Sequence, residues 1–298
     1  ARLELAQLVA EGDRLAFSTD SYVIDPLFFP GGNIGKLAIC GTANDVAVSG
    51  AIPRYLSCGF ILEEGLPMET LKAVVTSMAE TARAAGIAIV TGDTKVVQRG
   101  AADKLFINTA GMGAIPANIH WGAQTLTAGD VLLVSGTLGD HGATILNLRE
   151  QLGLDGELVS DCAVLTPLIQ TLRDIPGVKA LRDATRGGVN AVVHEFAAAC
   201  GCGIEISEAA LPVKPAVRGV CELLGLDALN FANEGKLVIA VERNAAEQVL
   251  AALQSHPLGK DAALIGEVVE RKGVRLAGLY GVKRTLDLPH AEPLPRIC

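Results

Sequence analysis

At 298 residues the chain has the length of about two domains. Half of its residues are hydrophobic and 19% are charged, which excludes a disordered chain; with aromatics at only 4%, the core must be built from Ala, Val, Ile and Leu. The net charge of −8, without any Lys/Arg cluster, offers nucleic acid no basic stripe, and no apolar run is long enough to span a bilayer.

The 33 Gly and 13 Pro suit an α/β protein with many short connections. Seven cysteines, an odd number in a large chain, argue against a disulfide framework. No charged segment followed by an apolar one opens the sequence, so no signal peptide is expected and the expected location is the cytoplasm.

Leu15–Asp20 reads as a strand that delivers Asp20 at its end. A Pro/Gly-rich loop, Pro26 to Gly35, leads into a helix from about Lys36 to Ser49. Ile39, Ala43, Val46 and Gly50 fall on one side of it, and Thr42, Asp45 and Ser49 on the other. A second helix follows Pro67, with Leu71, Val74, Val75, Met78 and Ala82 at helical spacing and Gly86 as its stop. The strand Ile87–Val90 is expected to end at Thr91-Gly92-Asp93-Thr94-Lys95, and the strand Leu105–Thr109 runs into Ala110-Gly111-Met112-Gly113.

The polar stretch Trp121–Asp130 is the best boundary, giving domains 1–125 and 126–285 and an arm 286–298. Beyond it come strand Val131–Val134, helices near 140–151 and 163–173, and strand Val178–Leu181. Asp183-Ala184-Thr185-Arg186-Gly187-Gly188 opens a helix with Val189, Val192, Val193 and Phe196 inward. Strands 203–206, 237–241 and 265–269 alternate with helices near 214–224 and 245–254, the last with Asn244 and Glu247 as a capping box. Three prolines between Leu288 and Cys298 exclude a helix and predict an extended arm.

Several familiar motifs fail. Gly31-Gly32-Asn33-Ile34-Gly35-Lys36 is one residue short of a phosphate-binding P-loop and lacks its Ser/Thr. No Gly-x-Gly-x-x-Gly follows a strand. Cys200-Gly201-Cys202 has no partner pair at zinc spacing and reads as two small apolar residues at a helix end.

What remains is a set of carboxylates: Asp20, Asp45, Asp93 and Asp183. Each alone reads as a cap or a solvated position; together they form a candidate site for a hard cation, since clustered carboxylates repel unless a divalent ion lies among them. Asp183-Ala184-Thr185-Arg186-Gly187-Gly188 is either an ordinary glycine-rich helix start or a phosphate site, with Gly187 and Gly188 amides, Thr185 and Arg186 as donors. Asn233-Glu234-Gly235-Lys236 places another carboxylate at an element junction. Cys298 ends the proline-stiffened arm. Ten extended residues reach roughly 30 Å, enough to carry a group on sulfur between two sites, and Arg296 is positioned to offset the terminal carboxylate.

The ending Pro295-Arg296-Ile297-Cys298 resembles the C-terminal signature of the HypE family of hydrogenase maturation proteins, close to its enterobacterial form. So do Ser18-Thr19-Asp20-Ser21, Thr42-Ala43-Asn44-Asp45-Val46, Thr91-Gly92-Asp93-Thr94-Lys95-Val96, Asp183-Ala184-Thr185-Arg186-Gly187-Gly188 and Asn233-Glu234-Gly235. The resemblance covers nearly the whole chain. Its aspartate motifs alone would indicate the wider superfamily of aminoimidazole ribonucleotide synthetase and selenophosphate synthetase.

The resemblance implies two α/β domains, each a mixed β-sheet covered by helices, with two subunits pairing their N-terminal sheets into a barrel. It implies an ATP-dependent dehydratase that converts an S-carboxamide on Cys298 into an S-cyanide. The carbamoyltransferase HypF loads the carbamoyl group, and the cyanide passes to iron on a HypC–HypD complex for a [NiFe] hydrogenase. The residues fit that chemistry: Asp20, Asp45 and Asp93 would hold Mg2+ against ATP, with Asn44 and Asp183 nearby. Thr185, Arg186, Gly187 and Gly188 would support the phosphates; since deprotonating the amide nitrogen needs a base, Glu234 is the candidate read from the residues, with Lys95 neutralising charge or relaying the proton. The family's Gly-rich opening segment, His-Gly-Ser-Gly-Gly, does not precede Ala1 here, so the chain is expected to be a trimmed form. The competing expectations are another ATP-dependent synthetase of the superfamily and a non-catalytic scaffold.

Overall fold

The computed structural model describes residues 1–3, 5–154, 156, 158–289 and 296–298. It divides into two compact units. The first comprises Ala1–Ile119, Cys162–Thr166 and Arg296–Cys298; the second comprises the described residues of His120–Asp161 and Pro167–Pro295. The division therefore falls at Ile119/His120, six residues before the sequence boundary, and the chain's last three residues belong to the first unit. Residues 290–295 of the predicted extended arm lie outside the described residues.

In the first unit, α1 (Leu5–Glu11) precedes β1 (Arg14–Tyr22), and a small hairpin of β2 (Phe28–Phe29) and β3 (Gly32–Asn33) occupies the predicted loop. Then follow α2 (Ile34–Val48), β4 (Ile52–Glu63), α3 (Met68–Ala84), β5 (Ala88–Val97) and β6 (Leu105–Ile115). The four long strands form one sheet in the order β1-β6-β4-β5, antiparallel except for β4 with β5.

Asn33 starts α2: its side chain accepts from the Gly35 and Lys36 amides, the N-cap geometry. The helix is buried on nearly every side, contrary to the two-sided expectation. Thr42 faces the sheet and is fully buried because its hydroxyl is satisfied: it lies 3.1 Å from Tyr22 Oη and 2.6 Å from Thr109 Oγ1, which donates to the Ala38 carbonyl. On α3, Val74, Met78 and Ala82 turn inward as expected, while Val75 is exposed.

The second unit contains β7 (Val131–Val134), α4 (Asp140–Glu150), α5 (Thr166–Gln170, its first residue in the first unit), β8 (Val178–Asp183), α6 (Gly188–Cys200), β9 (Gly203–Ser207) and α7 (Pro215–Leu224). After these come β10 (Leu237–Val241), α8 (Ala246–Gln254), β11 (Ala263–Val269), β12 (Gly273–Ala277) and β13 (Lys283–Thr285). The sheet runs β13-β12-β9-β11-β7-β10-β8, antiparallel except for β12 with β9. β7 and β10 are buried along their whole length, so they read as unbroken apolar runs. Val189, Val192, Val193 and Phe196 of α6 pack with Leu132, Val134, Ile204 and Val238 in one core, each large side chain contributing roughly 1.5–3 kcal/mol. The helix predicted over 163–173 is one short turn. The capping box predicted before α8 is absent: Arg243–Ala245 make a tight turn, and Ala245 caps without a side-chain bond.

Candidate functional site

β1 alternates, so Ala16, Ser18, Asp20 and Tyr22 share the side that faces α2. Ser18 Oγ donates to Asp45 Oδ2 at 2.7 Å, and Asp20 stands one pleat repeat along. Two carboxylates thus share one side of β1, half-buried. Their all-oxygen donor set fits a hard cation that keeps several waters. Asn44, in contrast, spends both ends of its amide on backbone: Nδ2 donates to the Ala163 carbonyl at 3.0 Å and Oδ1 accepts from the Leu165 amide at 2.8 Å.

Asp93 departs from the predicted cluster. β5 does not end at Val90 but continues to Val97, placing Asp93 in mid-strand on the edge of the sheet. The ladder aligns Asp93 with Gly59, Gly59 with Asn108 and Asn108 with Ser21. Residues aligned across a sheet point to one face, so Asp93 lies on the face opposite Asp20 and Asp45. It is also three strand spacings, about 14 Å, from β1. Asp20, Asp45 and Asp93 of one chain therefore do not converge on one ion, and among the described residues no group of three His, Cys, Asp or Glu side chains does so. Lys95 shares the exposed face of β5, its ammonium 3.1 Å from Asp93. That hydrogen bond, with one from the Thr94 amide, holds the Asp93 carboxyl below its usual range. Lys95 stands at the sheet edge away from β1, not beside the chain terminus.

The chain terminus docks where β1 ends. The Val23 amide donates to the Cys298 carbonyl at 2.9 Å, and Arg296 Nε donates to the Val23 carbonyl at 2.9 Å. Arg296 also pairs with Asp103 at 2.7 Å. Ile297 and Cys298 are buried, 2% and 7% exposed, so the thiol is sheltered rather than displayed. Val23 is three residues from Asp20, about 10 Å along the strand.

In the second unit, Asn233 fixes a buried loop. It accepts from the Gly139 amide at 2.7 Å and donates to the Ala184 carbonyl at 3.0 Å. Glu234 follows, 2% exposed, and Asp183 is buried where β8 ends. The Gly187–Gly188 pair needs a different account from the one the sequence suggested. Gly188 gives its amide to the Thr185 carbonyl at 2.9 Å, and its missing Cβ would stand 2.4 Å from the Leu229 carbonyl oxygen and 2.5 Å from that of Phe231. Gly188 is held by close packing of backbone at the start of α6, where Thr185, Arg186 and Gly187 precede it.

Sequence reasoning missed Asp161, whose carboxylate accepts from the Glu234 and Gly235 amides and from Lys236. It missed His141 and Ser160 as well, 2.7 Å apart and buried. No local pattern signals either, because the partners are separated by 19 to 75 residues.

The fold and its acidic strand–helix site define a class. Residues 4–115 match the family of AIR synthase related proteins, N-terminal domain, and residues 127–278 match the corresponding C-terminal domain. The chain is 99% identical to the carbamoyl dehydratase HypE of Escherichia coli (strain K12) over all of its 298 residues and 89% of that protein. Among solved structures it resembles a HypE in complex with ATP (46% identity, TM-score 0.94, 100% of this chain and 89% of that one). It also resembles the HypE of a HypE–HypF complex (48%, TM-score 0.90, 92% and 90%). The chain belongs to the HypE family of carbamoyl dehydratases.

Proposed function

We propose that the chain carries its own substrate on Cys298: ATP-dependent dehydration of an S-carboxamide on that thiol to an S-cyanide, for the iron of a [NiFe] hydrogenase. The observation that carries this reading is the terminal cysteine, its backbone carbonyl held by the Val23 amide about 10 Å along the chain from Asp20 and its neighbour Asp45, in a chain of the dehydratase family.

The overall change is R–S–C(=O)NH2 + ATP → R–S–C≡N + ADP + phosphate. ATP supplies the phosphoryl group that makes the amide oxygen a leaving group. Mg2+ would neutralise the phosphate charge, and Asp20 and Asp45 are the residues that fit it. Two protons leave the amide nitrogen, and Glu234, a carboxylate fixed in a buried loop, is the group we assign to accept one. Asp183, Thr185, Arg186 and Gly187 support the phosphates from the start of α6. Asn44 acts on them through the backbone it holds.

Asp93 and Lys95 belong in this reading to a site completed by a second copy of the chain. Support comes from the same face of the first unit's sheet, where Ile61 (44% exposed) stands beside Lys95 and, across the sheet on β1, Leu15 and Phe17 are 59% and 68% exposed: an apolar face of this kind suits pairing with its own copy. HypF, which the solved complex pairs with a relative of this chain, is the proposed donor of the carbamoyl group. HypC–HypD is the proposed acceptor of cyanide. No helix among the described residues is long and apolar enough to cross a membrane. Seven cysteines with no disulfide among the described residues suit a cytoplasmic location.

Intact mass tests the reading. Carbamoylation adds about 43 Da, and Mg-ATP then removes about 18 Da as the phosphorylated oxygen leaves. A loss that Cys298→Ala abolishes is expected; no loss from a correctly loaded chain would make it a scaffold. A pH profile unchanged in Glu234→Gln would remove Glu234 from the mechanism.

A further inference from the structure

We propose that Asp161 is the positioning residue of the reaction: through three hydrogen bonds its carboxylate fixes the loop that carries Glu234. The inference rests on Glu234 being the base. The loop Asn233–Lys236 is short, buried and tied at its front, where the Asn233 amide and side chain both donate to the Ala184 carbonyl, at 2.9 and 3.0 Å. Behind Asn233, Asp161 takes over. Its Oδ1 accepts from the Glu234 amide at 3.0 Å, and Oδ2 accepts from the Gly235 amide at 3.3 Å and the Lys236 ammonium at 3.2 Å.

The Asp161 side chain is 3% exposed and that of Lys236 is 11% exposed, so water does not substitute readily for any of these partners. Asp161 is itself anchored through its neighbour: Ser160 Oγ lies 2.7 Å from Nδ1 of the fully buried His141 on α4, whose first turn begins at the Gly139 held by Asn233. The donors thus meet one acceptor, and two of them are the main-chain amides of the base and of the residue after it. A base must be held within about 0.5 Å of its working position, and a displacement of about 1 Å can cost a hundredfold in rate.

An amide at position 161 keeps the shape and reverses half of the polarity. In Asp161→Asn one end still accepts from Glu234, while the NH2 end faces the Gly235 amide and the Lys236 ammonium, donor against donor. Asp161→Asn combined with Lys236→Gln gives that NH2 an acceptor again. The test uses the full chain, carbamoylated on Cys298, in single turnover with Mg-ATP, following the loss of about 18 Da. Asp161→Asn should slow the step by about 30- to 100-fold, with the half-saturating ATP concentration within about threefold of that of the unsubstituted chain. The double variant should regain at least about tenfold.

A rate for Asp161→Asn within about threefold of the unsubstituted chain overturns the proposal. So does a loss in rate that the double variant does not relieve and that comes with an equal loss of thermal stability, the pattern of a merely structural residue. Glu234→Gln is run alongside. Full activity there refutes Glu234 as the base, and the inference about Asp161 with it; an inactive Glu234→Gln beside a normal Asp161→Asn refutes the inference alone.

Discussion

Gly188→Ala separates two accounts of the glycines that open α6. Gly188 has φ +60°, in the left-handed region, which costs an L side chain about 1–2 kcal/mol. The added methyl would sit 2.4 and 2.5 Å from the carbonyl oxygens of Leu229 and Phe231. Both are backbone atoms and cannot rotate aside, so overpacking adds about 1–3 kcal/mol. The sum, about 2–5 kcal/mol, corresponds to a fall of roughly 5–15 °C in Tm for a unit of this size.

Gly187→Ala meets only the Ala191 Cβ, at 2.8 Å, with φ +76°, and should cost less. Thermal melting of both variants without nucleotide, followed by ATP titration of the folded protein, distinguishes the accounts. If Gly188 serves packing, its Tm falls and the ATP affinity of the folded fraction holds. A Gly188→Ala Tm within about 2 °C of the unsubstituted chain, with ATP affinity lost, would refute the packing argument and return Gly188 to the phosphate.

Asp45→Asn and Asp93→Asn should each abolish Mg-ATP-dependent dehydration. If the site takes Asp93 from a second copy, mixing the two inactive variants restores up to about a quarter of the activity, because one site in each mixed pair is intact. No recovery after subunit exchange would assign both residues to one chain. Cys298 alkylation by iodoacetamide, read by peptide mass, should rise no more than about fivefold in Asp103→Asn, since the Arg296 pair is partly exposed and two hydrogen bonds to Val23 remain, one from its amide to the Cys298 carbonyl and one from Arg296 Nε to its carbonyl. In the same experiment at pH 8 Cys58 and Cys221 should stay unmodified, because burial pushes both thiols up to about 11. Glu63 accepts from the Gly100 and Lys104 amides, which lowers its pKa. A carboxyl so depressed stabilises the loop at every pH above its unfolded value and ceases to do so as pH falls through its folded value. Amide exchange at Gly100 and Lys104 should therefore accelerate only in acid, and already at neutral pH in Glu63→Gln.

The sequence is most legible where one element is specified by its own residues. The periodicity of Val189, Val192, Val193 and Phe196 predicted the buried face of α6, and the strands expected at 131–134 and 237–241 are β7 and β10, both apolar and buried throughout. β4 escaped notice although it lies inside the first sheet: Pro53 near its start and a half-buried pattern without clean alternation hide it. β5 was cut short because Gly92-Asp93-Thr94-Lys95 reads as a turn. Gly92 is instead a close approach within the strand, its missing Cβ 2.2 Å from the Cys58 carbonyl oxygen.

The same limit governs the site. Residue type marked Asp20, Asp45, Asp93 and Glu234 as chemically able, but which of them can act together depends on sheet order and strand parity, and those are fixed by pairing far along the chain. Because β4 and β6 lie between β1 and β5, any ion held by Asp20 and Asp45 is beyond the reach of the same chain's Asp93. A reading that needs all three therefore needs two copies, and that requirement follows from one missed strand rather than from any missing motif. Asp161 shows the converse. It sits in no motif, yet it holds two main-chain amides of the loop that does. Asp161 is recognisable only by what it touches.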